Sequence, residues 1–228
     1  MTAHHVNRDH PAEVLRAAYE AFAAVVRPLG DEESWLPTDC AGWAVRDLVF
    51  HCVADAQRAL VALHTPATGP ADRDAVTYWR QWAPDPVGAA DGRRRNRVGA
   101  SMFPDFRQLK ELYLETTAAT VTAAAAARPD DRVITQGHVL TAGDLMVTLA
   151  VEASIHHLDL VARLPAAPGP APTGLAAVRA TLDGLLGRPV PLGWSDERYA
   201  RAATGRAPLT EAERGALGPD ADRFPLFS

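Results

Sequence analysis

The sequence predicts an all-α protein: a four-helix bundle with a long crossover between its second and third helices and a small helical extension at the C-terminal end. Three observations predict this. Four segments repeat apolar residues at helical spacing. Hydrophobic residues make up 47% of the 228 positions, yet aromatics supply only 7%; alanine, which loses no rotamer freedom in a helix, provides much of the difference. Finally, long stretches rich in proline and glycine fall at two places only, between the second and third periodic segments and after the fourth.

Residues 1–10 are polar, carry His4, His5 and His10, and read as a flexible tail. The bundle is expected over 11–163. Its first helix spans about 11–27, with Pro11 in the first turn and Val14, Leu15, Ala18, Phe22, Val25 and Val26 on one face. The second spans about 44–64. Residues 65–101 hold Pro66, Pro70, Pro84, Pro86 and four glycines, together with arginines 93, 94, 95 and 97; a short helix near 71–82 is expected inside an otherwise irregular crossover. The third helix covers about 104–127. RVITQGHVLT then reads as a short hairpin or an extended lid turning at Gly137, and Thr141 caps a fourth helix over 142–163, with Asp144 as its capping-box partner. PAAPGPAP at 165–172 is a linker. In the remainder of 164–228, Thr173 is read as the cap of a helix over 174–186. Ser195 and Thr210 cap two shorter ones, Glu213 completing the box with Thr210.

A formal charge of −5 argues against nucleic acid as partner. No stretch approaches the roughly 20 apolar residues of a membrane helix, and the two cysteines, Cys40 and Cys52, make no disulfide framework. A cytoplasmic protein is expected; its oligomeric state is not written in the sequence.

The chemistry concentrates on the fourth helix. Glu152 and His156 are four apart and share a face that Leu145, Leu149 and Ile155 direct inward. A buried carboxylate and imidazole need partners. On the second helix His51 lies near the apolar stripe. If the two helices pack together, the three residues converge, and two histidines with one carboxylate are a zinc set that leaves a coordination position open. The plainer alternatives are a buried histidine bonded to Glu152, or a surface pair.

The motifs G-W-x-V-R-D-L-x-x-H, ending at His51, and E-x-x-x-H-x-x-D-L, starting at Glu152, resemble those of the mycothiol-dependent maleylpyruvate isomerase family, within the wider DinB-like superfamily of metal-binding four-helix bundles. The resemblance covers about 11–163. It implies a divalent metal, zinc first, held by His51, Glu152 and His156, and mycothiol as cosubstrate. Residues 164–228 are shorter than the isomerase's C-terminal domain. Their W-S-D-E-R-Y, A-T-G-R-A-P-L and D-R-F-P-L segments resemble actinobacterial members.

Around this trio, Asp159 is read as an acceptor behind His156 or a base near the metal, the alternative being a charge that pairs with Arg163 or a helix terminus. Asp47 and Asp55 flank His51 one turn either way; either orients the imidazole through its far nitrogen, or decorates the surface. His138 is a candidate proton carrier at the metal's edge. Arg94 and Arg95, within the arginine run, are candidates for binding an anionic substrate or the polar end of the thiol, against a solvated loop. Cys40 reads as a small buried residue, with a thiol ligand as its alternative. The expected function is a metal-dependent enzyme that activates a low-molecular-weight thiol for transfer to, or isomerisation of, a small electrophile. The alternatives are a thiol-independent hydrolase or lyase working through metal-bound water, or a non-catalytic ligand-binding module.

Overall fold

The computed structural model describes residues 10–81 and 86–227; most of the expected tail lies outside them. Helix α1, Pro11–Val26, opens on its proline and buries Val14, Leu15, Ala18, Phe22, Val25 and Val26. A single turn, α2 (Asp31–Ser34), leads into a loop closed by a bridge between Pro37 and Ala44. Helix α3, Val45–Leu63, follows. Its first turn is tied by the Asp47 carboxylate, which accepts the Ala44 N–H at 2.9 Å. Asp47 is therefore a helix-start residue and does not orient His51.

The crossover differs from the sequence reading. The short helix near 71–82 is only a 3₁₀ turn, Thr77–Gln81, and the arginine run lies on a full helix, α4 (Pro86–Ser101), where a loop was expected. Arginine is a good helix former, and the glycines that argue against a helix serve packing instead. A Cβ on Gly99 would stand 2.1 Å from the Phe50 ring of α3, so the missing side chain lets α4 dock.

Helix α5, Phe106–Ala126, is capped by Asp105, whose carboxylate accepts the Arg107 N–H. The hairpin is present as β1 (Arg132–Thr135) antiparallel to β2 (His138–Thr141). Gln136 and Gly137 both have positive φ, 50° and 81°, as a tight two-residue turn requires. Thr141 caps α6 (Ala142–Val161) by accepting the Asp144 N–H. Apolar residues surround α6 on nearly every side, which places it at the centre. It packs on α1 and α3, while α3 also packs on α5.

Helix α7 begins at Pro172, not after a Thr173 cap; the proline's fixed φ opens the first turn without any side-chain cap. It lies along α6 and α1. Ser195 and Thr210 cap α8 (Asp196–Ala203) and α9 (Glu211–Leu217) as read, Glu213 closing the box. The apolar end docks: Phe227 stacks on Trp79 with ring centroids 4.6 Å apart. Val178, Leu182 and Tyr199 share one apolar cluster with Leu15, Met146 and Leu158. A second cluster joins Phe22, Val49, Val53, Leu109 and Tyr113. No helix among the described residues is long and apolar enough to cross a membrane.

Candidate metal centre

α3 and α6 bring His51, Glu152 and His156 together. One donor atom from each lies within 4.8 Å of the other two. Glu152 Oε1 stands 3.3 Å from His51 Nε2 and 3.2 Å from His156 Nε2. Ligands of one tetrahedral ion with bonds of about 2.1 Å lie about 3.4 Å apart, so the spacing and chemistry of this donor set suit a small divalent cation. All three side chains are largely buried.

The far side of His156 is fixed. Its Nδ1 faces Asp159 Oδ2 at 2.9 Å, and a ring nitrogen beside a carboxylate carries the proton, leaving the Nε2 lone pair for the cluster. Asp159 itself is fully buried and takes both arms of the Arg206 guanidinium, at 2.6 Å each. Gly205, at φ 75°, turns the chain after α8 where Arg206 begins its reach. Asp159 thus orients His156, and Arg163 is not its partner. Arg206 was not singled out from the sequence, where nothing ties it to a helix 47 positions earlier.

The electrostatics follow from this burial. Desolvation opposes ionisation of Glu152, but the hydrogen bonds and charges of His156 and His51 outweigh it and hold the carboxyl well below its usual range. Desolvation likewise opposes charge on His156, yet Cys40, Asp159 and Glu152 together raise its pKa well above the ordinary value. For Asp159, burial is overcome by His156 and Arg206, and the pKa falls.

Cys40 is closer to the chemistry than a plain buried residue. Its thiol donates to Asp159 Oδ2 at 3.1 Å and lies 3.6 Å from His156 Nδ1. Cys40, His156 and Asp159 form a second cluster of ligand type, but Arg206 already places a fixed positive charge on both Asp159 oxygens. Burial raises the Cys40 pKa, against the lowering effect of the adjacent His156. Cys52 is likewise pushed up by burial.

Asp55 departs from the reading as an orienting group. It stands 3.2 Å from His51 Nε2, the same nitrogen that faces Glu152, and not behind the ring. His138 sits on the hairpin beside Asp72, Nδ1 to Oδ1 3.5 Å, and is not among the clustered donors. Trp43 leans over both ligand-type histidines, with ring centroids 5.2 Å from His51 and 6.3 Å from His156. Trp43 also lines a cleft of about 800 Å³, together with Trp35, Arg46, Arg93, Arg94 and Arg97. Arg94 pairs with Asp91 at 2.8 Å. Arg95 lies outside this cleft, in a shallower depression with Asp91, Arg94 and Val98.

Comparison with protein families finds a match over residues 15–161 to the model described as "Mycothiol maleylpyruvate isomerase N-terminal domain". The chain belongs to this family. All three clustered donors fall within the matched span. Among solved structures, the crystal structure of the mycothiol-dependent maleylpyruvate isomerase is similar at a TM-score of 0.52 and 16% identity, covering 86% of this chain and 75% of that one. A histidine-to-alanine variant of that isomerase gives 0.54 at 16% identity and the same coverage. At such identity the likeness shows the fold, which is DinB-like. No curated protein matches the chain.

Proposed function

We propose that the protein is a metal-dependent enzyme that uses a low-molecular-weight thiol, mycothiol by its family, either conjugating the whole thiol through its sulfur to a small electrophile or isomerising that electrophile, with zinc as the first candidate metal. The observation that carries this reading is the convergence of His51 Nε2, Glu152 Oε1 and His156 Nε2 within 4.8 Å, with His156 backed by Asp159 and Arg206.

His51, Glu152 and His156 would hold a divalent ion, which would supply positive charge to lower the pKa of a thiol cosubstrate. The chain's own residues do the rest. Asp159 holds the proton on His156 Nδ1, which keeps Nε2 aimed at the cluster. Arg206 keeps Asp159 ionised. Trp43 touches both histidines and also lines the cleft, and Arg93, Arg94 and Arg97 give that cleft a cationic lining suited to an anionic electrophile.

The test is metal content per chain in protein purified without chelator, beside His156→Ala, followed by turnover of candidate electrophiles with and without thiol. About one metal in the parent, almost none in the variant, and turnover only with thiol support the proposal. Metal-dependent turnover without thiol would replace it by the metal-bound-water reading, and metal without turnover of any kind by a binding module. A metal-free parent that takes up no zinc sinks it.

A further inference from the structure

Asp55 lies one turn after His51 on α3, and a helical side chain leans toward the N-terminal turn, so its carboxylate comes up beside the imidazole. Oδ2 stands 3.2 Å from His51 Nε2, and Glu152 Oε1 stands 3.3 Å from the same atom. A neutral imidazole nitrogen carries at most one proton and cannot satisfy two carboxylates. Both carboxylates are about four-fifths buried, at 18% and 20% exposure. Nor does Asp55 find a partner elsewhere. Among the described residues no donor hydrogen-bonds to it, and the nearest cationic atom, Arg58 Nη1, is 4.0 Å away on a half-exposed side chain. Two like-charged, under-satisfied carboxylates on one imidazole edge are costly unless a cation joins them.

We propose that Asp55 is a fourth protein ligand of the metal centre, which makes the set two histidines and two carboxylates. The inference rests on the metal reading above and goes beyond its three-residue set. The 3.2 Å separation from His51 Nε2 matches the spacing of two ligands on one ion, as the Glu152 contacts do. Asp55 stands outside the tight three-atom cluster, so it must rotate inward. Asp55 and Glu152 both border a cavity of about 30 Å³, so the two carboxylates are not packed rigidly on that side. Two carboxylates neutralise a divalent ion completely. They also raise the oxygen share of the site, which broadens it beyond zinc toward cobalt, manganese and iron.

The test is titration of the full chain with Co²⁺ and Zn²⁺, against Asp55→Asn and Asp55→Glu. Affinity is read by competition with a chromophoric chelator and coordination by the visible cobalt spectrum; circular dichroism of the metal-free variants checks folding. The expected result is that Asp55→Asn binds cobalt at least ten-fold more weakly with altered d–d bands, and that Asp55→Glu, which keeps a carboxylate, recovers most of the affinity. A group acting only from behind a ligand costs about 10–100-fold in affinity but leaves the cobalt spectrum in place. An unchanged spectrum therefore overturns the proposal whatever the affinity. If Asp55→Asn does not fold, Asp55→Glu decides: a shifted cobalt spectrum supports the assignment and an identical one overturns it. Normal metal binding by the parent with unaltered variants sinks Asp55 alone, whereas a parent that binds neither ion sinks the metal reading with it.

Discussion

Arg206→Ala isolates the role of one cation. It leaves the Asp159 carboxylate, 0% exposed, with only His156 and Cys40 as partners, and removing one member of a buried pair costs about 3–5 kcal/mol. Urea denaturation of the metal-free variant should show a loss of that order, and Arg206→Lys should recover part of it, because an ammonium keeps the charge but not the two-armed fork. A second residue prediction concerns His157. It is 1% exposed, gives Nε2–H to the Pro168 carbonyl at 2.9 Å and buries an unpartnered Nδ1. Burial depresses its pKa, only partly offset by that carbonyl. The unfolded chain then binds a proton that the folded chain refuses. The contribution is complete above the unfolded value of about 6.5 and is lost as pH falls through it toward the folded value. Between pH 7.5 and 5.5 the metal-free parent should lose stability relative to His157→Gln, measured as the difference between their denaturation midpoints. At this scale the sequence was partly legible. Helical spacing alone placed Asp159 beside His156, but Arg206 and the approach side of Asp55 depend on how separate segments pack, which no local spacing encodes.

At the scale of elements, α4 is the instructive case. Glycines and prolines made its stretch read as an irregular crossover, yet Gly99 is the residue that lets the helix lie against Phe50. Gly99→Ala should cost about 1–3 kcal/mol through overpacking, against a gain of up to about 1 kcal/mol in helix propensity. The net loss should appear in thermal unfolding. Gly215→Ala on α9, where a Cβ meets nothing within 4 Å, is the control and should be neutral or slightly stabilising. The strongly periodic segments were legible because one face of each meets the core: α1, α3, α5 and α6 begin and end within two residues of their expected bounds. α4 was not, because its small residues matter through a neighbour that the sequence does not name.

For the whole molecule, an ion that binds only the folded state must stabilise it, by about 2.7 kcal/mol at a hundred-fold excess over Kd. The melting temperature should rise with added zinc and fall back on chelation, and His51→Ala should abolish the response. The bundle was legible from spacing and composition, but that α3 meets α6 at the site was legible only through the resemblance of two motifs, since their convergence is a property of the packed bundle. That convergence has a temporal side. His51 and Glu152 are 101 positions apart, and at a synthesis rate of about 5–20 residues per second the first waits on the order of 5–20 s for the second to be made. A nascent chain thus carries His51 before the other two donors of the proposed centre exist, so an ion held by all three is captured only after Glu152 and His156 have been made.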